Sequence, residues 1–138
     1  MTIADDLRQR TFRYALQTIQ FCRTLPTDWD AREIGKQLLR AGMGTASNYW
    51  SACRGRSDSE FISKLGVAED EAAESVLWTM LLLQSGIRDD PATKALLQEG
   101  KEITAILSKS RKSAKENRRR RNQGAKLTNS PTHPVTNS

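Results

Sequence analysis

Apolar residues return every three or four positions in four successive stretches of this chain, and each stretch opens on a capping signature or closes on a helix breaker. That spacing puts the apolar groups on one side of an α-helix, and a stretch so patterned has to bury that side against a neighbour. No segment alternates polar and apolar residues in the manner of a strand. The pattern therefore predicts an all-α fold: an antiparallel up-down-up-down four-helix bundle, closed by short connections.

The first stretch begins at Thr2 and Asp5, which read as a capping box. Its expected core stripe is Phe12, Ala15, Leu16, Ile19 and Cys22. Leu25-Pro26 ends it, because proline disfavours helical geometry in the residue before it. Thr27 with Asp30 repeats the capping signature. The second stripe is then Ile34, Leu38, Ala41, Thr45, Asn48 and Ala52, in a helix rich in glycine and alanine. Each interior glycine costs about 1 kcal/mol relative to alanine. Such a helix is expected either to meet a neighbour closely or to be locally deformed.

Ser57 with Glu60 caps the third stretch, whose stripe is Phe61, Leu65, Ala68, Ala72, Val76, Met80 and Leu83, with Gly86 as its C-terminal cap. Asp90-Pro91 opens the fourth, marked by Leu96, Gly100, Ile103, Ile106 and Leu107. Residues 1–107 thus read as the bundle and residues 108–138 as a basic C-terminal extension. The extension is expected to stay helical through Ser113 or Asn117. Beyond Asn122 its composition reads as disordered, giving a basic, partly disordered tail.

Charge is distributed very unevenly. The whole chain is +6, yet residues 108–138 alone are +8, from Lys109, Arg111, Lys112, Lys115, Arg118, Arg119, Arg120, Arg121 and Lys126 against Glu116. Residues 1–57 are +4 and residues 58–107 are −6. A cationic segment of this kind binds nucleic-acid backbones through counterion release, independently of sequence. Arginine adds bidentate phosphate contacts. The tail has no interleaved aromatic residues, so nothing in it points to base readout. A solubilising tail and a contact with an anionic membrane surface are the other readings of the same charge. Arg8, Arg10, Arg13, Arg40, Arg54 and Arg56 are candidates to extend the basic surface.

Other chemistries find little material. The single histidine, His133, lies in the tail, so the bundle can build neither a histidine triad nor a histidine metal site. Glu69, Asp70, Glu71 and Glu74 cluster on the third helix, but the Glu-x-x-His motifs of di-iron bundles are missing. These acids are expected to pair with Arg54 or Arg56, or with a neighbouring subunit. No glycine-rich phosphate loop is present, and no enzyme activity, metal or cofactor is expected. No run of residues is long and apolar enough for a membrane span, and Met1–Arg10 lacks the apolar core of a signal peptide. Cys22 and Cys53 are therefore expected to be reduced thiols in a cytoplasmic protein. Tyr49, Trp50 and Trp29, with Glu71 and Glu74, are candidates for a subunit interface, since aromatic groups at the margin of a core often anchor one.

Gln37-Leu38-Leu39-Arg40-Ala41-Gly42, then Asn48-Tyr49, then Ala52-Cys53-Arg54-Gly55-Arg56-Ser57, and then Glu60 through Glu69 with Glu71, Ala72, Glu74 and Ser75 carry a resemblance to a known family. Over residues 7–107 the chain resembles the bacterial four-helix-bundle proteins. These include proteins encoded in intervening sequences of large-subunit ribosomal RNA genes and the accessory variability determinant of diversity-generating retroelements. It departs from the family pattern at Met43-Gly44-Thr45, where the family often carries a serine followed by a β-branched residue. The resemblance implies a ring-shaped homopentamer without enzymatic activity. In the retroelement branch it implies association with a reverse transcriptase and RNA. The leading expectation is an oligomeric RNA-binding accessory protein of that kind. The alternative is an intervening-sequence-type protein that acts as a protein-interaction scaffold. A ring needs different faces of one subunit to meet, which the basic first half and acidic second half of the bundle would suit.

Overall fold

The computed structural model describes residues 2–128, with side chains through residue 126. It consists of four helices: α1 (Ile3–Arg23), α2 (Trp29–Cys53), α3 (Asp58–Gln84) and α4 (Pro91–Thr128). α1 packs on α2, α2 on α3, α3 on α4, and α4 closes back onto α1. This is the expected up-down-up-down bundle.

Most of the expected caps form. Asp5 N–H donates to Thr2 Oγ1 at 3.0 Å and Thr2 N–H to Asp5 Oδ2 at 3.4 Å, completing the capping box. Glu60 N–H donates to Ser57 Oγ at 3.1 Å. Asp90 Oδ1 accepts from both the backbone N–H and the hydroxyl of Thr93, opening α4 ahead of Pro91. Gly86 takes the left-handed conformation (φ +79°) that a Cβ would strain, and so turns the chain out of α3. The Thr27–Asp30 box does not form. α2 starts one residue later than that box requires, with Asp28 at the N-cap, and Asp30 instead accepts from Ala31 N–H at 2.8 Å.

The core differs from the apolar stripes in an informative way. α1 buries Leu7, Thr11, Tyr14, Thr18 and Phe21. Phe12 and Leu16, expected inside, are 49% and 42% exposed. α2 buries Ala31, Gly35, Leu38, Gly42, Thr45, Tyr49 and Ala52 along one seam, with Ala41 beside it. Ile34 and Asn48 lie one position off that seam. α3 buries Leu65, Ala68, Ala72, Ser75, Thr79 and Leu82. α4 buries Thr93, Leu96, Gly100, Ile103 and Leu107. Every set alternates steps of three and four, a seven-residue repeat that keeps one seam facing its partners. A search by hydrophobicity alone leaves this seam wherever it is occupied by Thr, Ser, Gly or Tyr. In α3 it takes two successive steps of four, Ala72 to Val76 to Met80, and drifts off the core face.

The polar core residues are tolerated because their hydroxyls are satisfied locally. Thr18 donates to Tyr14 O and Thr45 to Ala41 O, both at 2.8 Å. Thr79 donates to Ser75 O at 2.7 Å. A hydroxyl bonded to its own helix can enter a core without the desolvation cost of an orphaned group. Tyr14 reaches diagonally across the bundle to Ser75 Oγ at 2.7 Å. Among the described residues, Trp78 Nε1 is the one buried side-chain polar atom without a partner.

Small residues set the helix spacing, which resolves the glycine question in favour of close approach. A Cβ on Gly42 would lie 2.8 Å from the Thr18 side chain. On Gly44 it would collide with the Glu71 carboxylate, and on Gly100 it would lie 2.7 Å from the Tyr14 hydroxyl and 3.1 Å from Val76. Gly100→Val should therefore overpack the α1–α3–α4 contact and cost about 1–3 kcal/mol. Urea denaturation reads this, and an unchanged midpoint would contradict it.

Burial also gives the bundle an alkaline limit. It pushes the Tyr14 phenol up to about 12 and the Cys22 thiol up to about 11. Both groups stay neutral longer in the folded chain, so the unfolded chain releases their protons first. Stability is then full below pH 9 and falls as pH rises through 11 and 12. Tyr14→Phe should remove the Tyr14 share of that decline in a pH-dependent melting series. An identical decline in the variant would contradict it.

Among the described side chains Leu107 is the last buried one of α4, but the helix does not stop there. It passes Asn122, where composition placed the change to disorder, and reaches Thr128. Residues 113–126 contain many good helix formers, and Glu116 bonds to Arg119 and Arg120 one turn on. Residues 129–138, with His133, lie outside the described part. No helix among the described residues is long and apolar enough to cross a membrane.

Candidate functional site

Two surfaces hold many of the residues singled out by the sequence. The first is the cationic end of the molecule. Beyond Leu107, α4 continues along the first turns of α3. Arg111 Nε donates to Glu69 Oε1 at 2.6 Å, and Arg121 pairs with Asp58, the first residue of α3. Arg119 and Arg120 share Glu116, whose carboxyl is held below its ordinary pKa by the hydrogen bond from Arg119 first of all. Half of the eight tail cations proposed as phosphate contacts are thus engaged within the chain. Lys109, Lys112, Lys115 and Arg118 are exposed and free of ion pairs. They follow one another every three residues, so each step rises about 4.5 Å and turns about 60°, and Lys109 and Arg118 lie on opposite sides of α4.

The other predicted cations divide in the same way. Arg10 is committed: its guanidinium donates twice to Glu99 and once to Glu102, each at 2.8 Å, tying α1 to α4. Arg8 pairs with Asp5 and lies over the Trp50 ring, 5.8 Å from its centroid. Arg13, Arg40, Arg54 and Arg56 are exposed without ion pairs. The expected pairing of the α3 acids with Arg54 or Arg56 is not made. Glu69 takes Arg111 instead, because α4 and not the α2–α3 turn runs beside it.

The second surface is apolar. Phe12 and Ala15 of α1 face Met43, Ala46, Ser47 and Trp50 of α2 across an open groove of about 420 Å³. Phe12 and Trp50 stack obliquely with centroids 6.2 Å apart. Trp50 Nε1 donates to Arg8 O at 3.3 Å, which fixes the indole at the groove's end. Met43 and Trp50 are 44% and 45% exposed. Leu39, Met43, Ala46 and Trp50 repeat the four-three spacing of the core, so α2 carries a second seam on its outer side. α3 has one too: Val67, Asp70, Glu74, Leu77 and Leu81 are exposed on the face away from the core.

The predicted interface residues fall unequally around these surfaces. Trp50 lies in the groove and Glu74 on the α3 ridge. Tyr49 belongs to the core, 3% exposed, with its hydroxyl donating to Ala4 O at 3.4 Å. It sits on the inner seam, one position from Trp50. Glu71 is half-buried against Gly44, and burial, then Glu74, raises its pKa. Trp29 is 80% exposed at the start of α2, at the end where Arg88 seals the bundle by donating to Phe21 O and Thr24 Oγ1. Phe12, Met43, Val67, Leu77 and Leu81 were not among the expected interface residues. Their signal was the Thr- and Tyr-containing seam that displaces Phe12 and Leu16 from the core.

No group of three or more His, Cys, Asp or Glu side chains among the described residues is placed to hold a metal. The family whose model matches residues 5–109 is described as 23S rRNA-intervening sequence protein. The chain belongs to this family. Among solved structures, a protein with unknown function from the S23 ribosomal protein family of Bacteroides thetaiotaomicron matches with a TM-score of 0.74. It covers 80% of this chain and 99% of that one at 22% identity, a likeness of fold. A comparison with curated proteins finds no match. The intervening-sequence match ends at residue 109, so the family region takes in the groove and the ridge and leaves most of the basic extension outside.

Proposed function

We propose that this protein is a non-enzymatic, self-associating scaffold of the intervening-sequence type. In this reading the α1–α2 groove of one copy receives the α3 ridge of the next. The observation that carries it is the second apolar seam on the outside of α1 and α2, open to solvent in the single chain. Exposed apolar surface of this kind marks interaction sites. Arg8 and Arg13 flank the groove, while Asp70 and Glu74 interrupt the ridge, so the two faces are complementary in charge. Because groove and ridge are different faces, their pairing is heterologous and closes into a ring when the rotation allows. The resemblance implies five copies. The melting temperature of the chain should rise with protein concentration, as mass action requires of a folded oligomer. A midpoint independent of concentration would count against the scaffold.

A second reading is favoured by a separate observation, the four unpaired cations on the exposed length of α4. They suit binding of RNA through its phosphates, and several copies on one assembly would add avidity. The family match supports the intervening-sequence reading over an accessory role beside a reverse transcriptase.

A further inference from the structure

We infer that the α2–α3 turn and the end of α4 form one composite phosphate-binding site for an RNA backbone, with Arg54 and Arg56 as its second half. The inference rests on the reading of α4 as an RNA-binding element. Arg54 and Arg56 are more than 60 residues from Arg121 in sequence, yet Arg121 pairs with Asp58, two residues after Arg56. That contact brings the end of α4 to the turn. Beside it lies an open cleft of about 360 Å³, whose lining includes Ala4, Gly55, Arg56, Asp58 and Phe61.

The distribution of ion pairs tells which groups are available. Asp58 holds Arg121, and Glu116 holds Arg119 and Arg120. Arg54, Arg56 and Arg118 at the same end are exposed and unpaired. A polyanion that winds half-way around α4 from Lys109 through Lys112 and Lys115 to Arg118 reaches the turn, because Arg118 is one helical turn from Arg121 and its partner Asp58, and two further guanidinium groups there take its next phosphates. Gly55 lets the turn between Arg54 and Arg56 close tightly: a Cβ there would crowd Ala52 O and Phe61 N at 3.1 and 3.2 Å. The aromatic ring that lines the cleft, Phe61, packs against the core, so the site reads backbone and not bases.

The test titrates an oligouridine RNA against the full chain and an Arg54→Gln/Arg56→Gln variant over a salt series. Both substituted residues are exposed, so the bundle is undisturbed. Affinity should fall about tenfold at low salt, and the slope of log affinity against log salt should flatten by about 1.4, for two lost phosphate contacts. The control is Arg23→Gln/Arg32→Gln, the same change of charge at the opposite end, which should leave both quantities unaltered. Unchanged affinity and slope in the Arg54/Arg56 variant, with truncation after Leu107 still abolishing binding, would overturn the composite site and leave α4 as the whole RNA contact. Equal losses in both double variants would overturn it too, since binding would then follow bulk charge. Full binding after truncation would remove the RNA reading itself.

Discussion

Met43→Asp should dissociate the assembly into folded single chains. Met43 lines the α1–α2 groove two turns of α2 before Trp50 and is 44% exposed in the protomer. A carboxylate there remains hydrated in the isolated chain, so the fold loses little: exposed substitutions usually change stability by no more than about 0.5 kcal/mol. In the docked groove the same carboxylate is buried without a partner and faces the acidic α3 ridge. An unpaired buried charge costs about 3–5 kcal/mol. That corresponds to at least a hundredfold weaker association. Charge compensation offers a further check: Glu74→Lys on the ridge should partly restore assembly of the Met43→Asp chain. Size-exclusion chromatography with light scattering reads both. Met43→Asp chains that elute with the mass of the parent would exclude the groove as the interface.

Truncation after Leu107 should remove most RNA binding while leaving a helical bundle. The removed residues hold every tail cation, and the last buried side chain is kept. The four free cations of α4 contribute about −2.8 to the salt slope of the full chain for single-stranded RNA, a share that alone lowers affinity about fiftyfold for a fourfold rise in salt. The truncated chain should lose that steep dependence along with the affinity. Truncation also breaks the Arg111–Glu69 pair, whose side chains are 30% and 17% exposed. A second variant therefore keeps the helix: Lys109, Lys112, Lys115 and Arg118 all changed to glutamine. It should lose binding to a similar extent with its melting temperature unchanged. Retained affinity in that variant would shift the contact to Arg119–Arg121, whose pairs with Glu116 and Asp58 are exposed and easily exchanged.

Helix number, helix order and most caps were legible in the sequence because they depend on local chemistry. Thr2, Ser57 and Asp90 each satisfy backbone N–H groups within one turn, and Gly86 supplies the one positive φ among the described residues. The face of each helix that turns inward was less legible, since hydrophobicity is a poor guide where hydroxyls bond to their own helix. Thr11, Thr18, Thr45 and Thr79 fill the core, and Phe12 and Leu16 are left outside. The candidate sites were legible only in part for the same reason. Assigning Phe12 to the core hid the groove that it lines. Tyr49 and Trp50 looked equivalent as margin aromatics, but the three-four seam takes Tyr49 inward and leaves Trp50 on the surface. The run Arg118–Arg121 was conspicuous as sequence. Arg119 and Arg120 reach Glu116 at ordinary helical spacings, whereas the Arg121–Asp58 pair depends on α4 lying antiparallel to α3, and no local rule anticipates that contact.

Sedimentation equilibrium of the full chain in solution tests the scaffold most directly, because it reads mass without assuming a shape. A single species is expected at a multiple of the 15.5 kDa chain mass, fivefold by the family resemblance, that falls to one chain in Met43→Asp. A full-length protein that sediments as one 15.5 kDa chain across the accessible concentration range would contradict it.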